Sequence, residues 1–153
     1  MKLRNYLFLG FVLILSSIGM AGIQEADADK LLGTWEPGDS RSKIKIEKIG
    51  SKYFGKIVWL KEPNDPATKQ PKLDKNNPDT ALRNNPLKGN RILKDFIYVG
   101  KKEWGSGSIY DPKNGKTYKC VINMKDDNTI DIRGYIGIKA IGRTDTWKRV
   151  ILK

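Results

Sequence analysis

The sequence predicts an all-β domain: eight antiparallel strands forming an up-and-down barrel or a related sandwich, interrupted by one long Pro-rich insertion. Three observations predict it. Apolar side chains recur with period two rather than 3.6 along nearly every segment. The joins between those segments carry explicit turn chemistry. Hydrophobic residues at 39%, with four Trp, six Tyr and four Phe, supply enough material for a packed core and argue against disorder across the chain.

The elements follow in order. Leu31 to Glu36 opens the domain, and Lys43-Ile44-Lys45-Ile46-Glu47 alternates strictly. Gly50-Ser51-Lys52 then turns the chain into Tyr53 to Leu60. After the insertion come Arg91 to Tyr98, Glu103 to Tyr110, Lys116 to Met124, Ile130 to Ile138 and Arg143 to Ile151. Asp111-Pro112-Lys113-Asn114-Gly115 fixes φ at its Pro and offers Gly for a left-handed position, and Asp126-Asp127-Asn128 closes the next hairpin. Residues 61–90 break the rhythm and hold five of the seven Pro residues. Within them Asn77 reads as an N-cap and Pro78 as the first position of one or two helical turns, which Pro86 ends. The segment is either an ordered lid, pinned across a barrel opening by Leu82 and Leu87, or a flexible insertion.

The amino terminus reads as an export signal over residues 1–21. Lys2 and Arg4 precede an apolar run from Tyr6 to Ile18, and Gly19 and Ala21 stand at −3 and −1 of a cut after Ala21. The run is shorter than the ~20 residues of a spanning helix. No Cys follows it to accept a lipid, so the mature domain, residues 22–153, is expected to be periplasmic or secreted. One Cys in the chain excludes an intramolecular disulfide, and the core alone must hold the fold. Cys120 lies among alternating apolar residues and reads as a small buried hydrophobe.

The absence of His excludes whole reaction classes: a Ser-His-Asp triad, a Cys-His dyad and a His-containing zinc cage. Carboxylates are the remaining acid/base candidates, with Glu36, Asp111 and Asp145 the least loop-like. Asp111 is explained as a turn former before Pro112, and Asp145 as an ion-pair partner of Arg143. Nothing in the sequence places two carboxyls at the separation a hydrolase needs. A non-enzymatic protein, without metal or cofactor, is therefore expected.

Gly33-Thr34-Trp35 resembles the Gly-x-Trp signature of lipocalins. That resemblance implies a Trp35 closing the barrel bottom against a basic residue of a late strand, Arg143 or Arg149. More of the chain is similar to one bacterial family, domain of unknown function 2147. The residues that carry the likeness are Gly55 to Leu60, Asn77-Pro78-Asp79, Leu82-Arg83, Pro86 to Gly89, Trp104 to Pro112, Gly115 to Tyr118 and Thr144 to Val150. The resemblance implies a lipocalin-like barrel and an exported protein. It brings no established activity, and where relatives carry further Cys this chain has residues such as Tyr53, Phe54 and Ile138.

A barrel of eight strands is just wide enough to be filled by side chains or to hold one small ligand. Alternation puts Ile44, Ile46, Ile57, Phe96, Cys120, Ile122, Ile132 and Ile136 inside as core. Trp59, Tyr98, Trp104, Tyr110 and Tyr118 are expected to face the ligand. Ser106 and Ser108 share the face of Trp104 and Tyr110, and Arg83 of the insertion completes the set. Gly105, Gly107 and Gly134 leave room beside aromatic rings or mark bulges. The expected ligand is small and largely apolar.

The net charge of +12 is uneven: residues 41–102 hold 16 Lys and Arg against six Asp and Glu. Such a field attracts anionic surfaces. The Lys residues at 43, 45, 48, 52 and 56 also alternate as an ordinary solvated face does. Export points away from nucleic acid, so anionic envelope lipid or glycan is the alternative partner.

Overall fold

The computed structural model describes residues 22 and 24–151, so the expected signal segment 1–21 lies outside the described residues. The described residues before Leu31 belong to a unit of their own, in which 24–29 are helical and the Asp27 carboxylate meets the Lys30 ammonium at 2.8 Å. The second unit, from Leu31 onwards, is a closed antiparallel barrel. Its strands are β1 (Gly33–Glu36), β2 (Ser42–Ile49), β3 (Lys52–Leu60), β4 (Arg91–Gly100), β5 (Glu103–Asp111), β6 (Lys116–Asp126), β7 (Thr129–Tyr135) and β8 (Gly142–Arg149). Each strand pairs with the next, and β8 returns to β1 through Trp35↔Arg149 and Glu36↔Lys148. This is the up-and-down order expected of hairpin-linked, period-two segments.

Connections 37–41, 61–90, 112–115 and 136–141 gather at one end, and 50–51, 101–102 and 127–128 at the other. The second end is closed. Trp35 is fully buried and donates its indole N–H to the Leu31 carbonyl at 2.9 Å. The Arg149 guanidinium covers its ring at 4.2 Å and donates to the Leu32 and Asp127 carbonyls at 2.7 and 2.6 Å. Gly33 makes room for this arrangement. A Cβ there would stand 2.6 Å from the guanidinium, and its φ of +130° suits Gly alone. Arg149 is thus the closing residue; Arg143 sits at the opposite end. Above the plug, Ile44, Ile46, Tyr53, Phe96, Trp104 and Ile122 fill the barrel, all buried.

Two irregularities break the alternation. Between Ile44↔Ile57 and Lys43↔Trp59 strand β3 carries one extra residue, Val58. Between Trp104↔Ile122 and Gly107↔Cys120 strand β5 carries another, with Ser106 in the left-handed region at φ 59°. An extra residue on one strand moves everything beyond it to the other face. Gly107 shows why β5 bulges here: a Cβ at that position would lie 2.4 Å from the Phe96 ring, so only a bare backbone passes the aromatic core.

The insertion is held by its own polar contacts. Asp74, 1% exposed, accepts the Tyr110 hydroxyl at 2.6 Å and the Asn77 and Asn90 amides at 2.7 and 2.9 Å. Asn76 donates its amide to the Pro112 and Lys113 carbonyls at 3.1 and 3.0 Å. The expected helix is a single 3-10 turn, Thr80–Leu82, capped by Asp79 rather than Asn77. The Asn77 side-chain Oδ1 instead accepts the Asp79 N–H at 3.0 Å, forming an Asx turn that delays the cap by two residues. Leu82 is exposed and does not pin the segment, whereas Leu87 reaches the barrel opening.

Candidate functional site

The open end leads into a cavity of about 750 Å³. Its wall is built from residues that each strand brings inward above the packed core: Ile57 of β3, Ile109 of β5, Ile132 and Gly134 of β7, and Trp147 of β8. Leu60 and Leu87 flank the insertion side, and Ile136 and Ile141 belong to the β7–β8 connection; because β7 ends at Tyr135, Ile136 is exposed there rather than buried in the core as expected. Gly134 creates part of the space, since a Cβ there would make only ordinary contact with Ile109 and Tyr118, at 3.4 and 3.7 Å. The rim is polar. Tyr118 accepts the Asn114 amide at 3.0 Å, and the Lys113 ammonium pairs with Asp39 at 3.4 Å. Arg41 and Arg143 stand on the same rim.

Of the residues expected at a ligand, Tyr118 lines the cavity wall, and Tyr110, on Ser108's side of β5 beyond the bulge, borders it beside the insertion, where its hydroxyl meets Asp74. Burial, and then the Asp74 carboxylate, pushes the Tyr110 hydroxyl up to about 12, so it stays a donor. The others lie elsewhere. Trp59 is turned to the outer face by the extra residue in β3 and is 40% exposed, under the Lys43 ammonium at 5.0 Å. Tyr98 and Trp104 pack on each other at 5.1 Å in the filled half of the barrel. Ser106 is exposed on the bulge, and Ser108 pairs with Lys94 and Lys119 on the outer wall. Arg83 donates to the Asn77 carbonyl at 2.7 Å and shapes the insertion.

The residues that take their places are Leu60 and Ile109, each one step from a predicted residue, and Trp147. The signal was present in Gly105-Ser106-Gly107: small residues beside a bulge announce that the face changes.

The acid/base candidates are engaged structurally. Glu36 accepts the Ser40 hydroxyl at 2.9 Å, and Asp111 the Lys113 N–H at 2.9 Å. Asp145 accepts the Trp147 indole N–H at 2.8 Å, and its expected ion pair with Arg143 is not formed. Cys120 is fully buried, which pushes its thiol up to about 12.

A closed antiparallel eight-strand barrel, plugged at one end by a Trp beneath an Arg and hollow at the other, defines a lipocalin-like protein with the architecture of a small-molecule-binding barrel. Among solved structures, one described as "Protein HP1028 from the human pathogen Helicobacter pylori belongs to the lipocalin family" is similar, with a TM-score of 0.68 and 26% identity. The match covers 79% of this chain and 83% of that one. The chain belongs to the bacterial family DUF2147, described as "uncharacterized protein conserved in bacteria", whose model matches residues 33–149. Comparison with curated proteins returns no match.

Proposed function

We propose that this protein is an exported, non-enzymatic carrier that binds one small, largely apolar molecule in the open half of its barrel. The observation that carries this reading is the cavity itself. Its size falls within the ~300–1,000 Å³ of small-molecule sites, and its isoleucine wall meets a polar rim at one opening. Burial of an apolar ligand there is favoured at roughly 25 cal/mol per Å² removed from water, while Tyr118 and the rim charges orient whatever polar end it has. Export rests on the reading of residues 1–21.

The test is a titration with an environment-sensitive apolar dye, which is expected to bind the folded protein at one per chain. Gly134→Leu places a side chain directly into the space and should abolish binding with the fold retained. Ser108→Phe, on the outer wall, should leave binding unchanged. Equal dye responses in both variants would refute the cavity as the site.

A further inference from the structure

The outer wall of β2, β3 and β4 carries a second feature. Register sets Lys45 opposite Lys56, and Lys56 opposite Arg91, in one line across three strands. Neighbouring strands are ~4.8 Å apart, so this is a close row of cationic residues across three strands, with a register shift at Lys56 on the β4 side. Among the described residues Glu47 answers it, meeting Lys45 at 3.3 Å and Lys56 at 3.0 Å. Two cations on this wall, Arg91 of the row and one further lysine, rest on aromatic rings. The Lys43 ammonium lies 5.0 Å from the Trp59 ring, and the Arg91 guanidinium 4.8 Å from that of Phe54.

A merely solvated face needs lysines but has no use for an exposed indole. Here the extra residue in β3 turns Trp59 out of the barrel and sets it opposite Lys43, three residues along the middle strand from Lys56. Keeping that ring in water sacrifices apolar burial that an inward-facing indole would gain. The combination of a close row of cations and a part-exposed indole matches a linear anionic glycan. Its acidic groups meet Lys45, Lys56 and Arg91, and the C–H face of a sugar lies against Trp59. A convex barrel wall touches a flat bilayer only along a line, whereas a flexible chain can follow the row around the curve.

We propose that the β2–β3–β4 wall is a docking surface for a linear anionic polysaccharide, independent of the cavity. The experiment uses the folded protein with heparin and polygalacturonate as sulfated and carboxylated probes. Vesicles of phosphatidylglycerol and phosphatidylcholine in equal parts serve as the membrane arm. At least one glycan should bind at low salt and release as salt screens the contact. The triple variant Lys45→Gln, Lys56→Gln, Arg91→Gln and the single variant Trp59→Ala should each weaken glycan binding about tenfold or more. Dye binding in the cavity should be untouched, so this proposal and the carrier reading fail separately. A control triple, Lys116→Gln, Lys125→Gln, Lys148→Gln, removes the same charge elsewhere and should have little effect. The proposal is overturned if neither glycan binds, if the control triple weakens binding as much, or if only the vesicles bind.

Discussion

Tyr110→Phe tests how the insertion is tied to the barrel. The substitution keeps the ring and removes one oxygen, the donor to Asp74 Oδ1 at 2.6 Å. Asp74 is buried, and a hydrogen bond to a charged group contributes ~1.5–3 kcal/mol. The Asn77 and Asn90 amides remain on the other oxygen, so the carboxylate is not orphaned and the lower half of that range applies. A loss of about 2 kcal/mol should lower Tm by roughly 5–8 °C in a domain of this size.

The same variant has a pH signature. The folded state holds the Tyr110 proton up to about 12, above the ordinary value of 10.0. Its contribution is therefore fully present below pH 10 and lost as pH rises through about 12, because the unfolded chain releases that proton first. The stability gap between the parent and Tyr110→Phe, read from urea unfolding, should accordingly narrow across that window. Dye should also leave the variant faster, since Leu87 of the tethered segment lines the opening. Equal Tm values, with a gap that does not change at alkaline pH, would refute the role of this contact.

Trp35→Ala should be severely destabilising, by ~3–5 kcal/mol, because the indole is fully buried beneath Arg149. Arg143→Ala, at the opposite end, should leave the melting temperature nearly unchanged; the reverse ranking in thermal unfolding would contradict the assignment of Arg149 as the closing residue. Cys120 should resist a thiol reagent in the native protein and react on unfolding in urea, given its burial and raised pKa. Fast labelling of the native state would show that the middle of the barrel is open to water.

Period-two alternation and turn residues are local properties, and they were sufficient to read the eight strands and the order of their hairpins. The buried thiol was legible for the same reason, since Cys120 sits within a regular stretch, whereas the Trp at the closed end was legible through the Gly-x-Trp resemblance. Tertiary structure decided what lies beyond each interruption. Trp59 and Ser108 keep their places in the sequence pattern, yet one extra residue in β3 and another in β5 reverse the faces they occupy. The bulge in β5 is where the backbone must slip past the Phe96 ring, a neighbour from another strand. The choice between Arg143 and Arg149 likewise depended on which end of β8 meets Trp35 when the barrel closes. Asp74 resembled any other loop carboxylate until folding set Tyr110 against it, 36 residues away in the chain. Alternation depends on a residue's immediate neighbours, whereas a bulge, a barrel seam and a buried polar contact depend on partners that only the closed fold brings together.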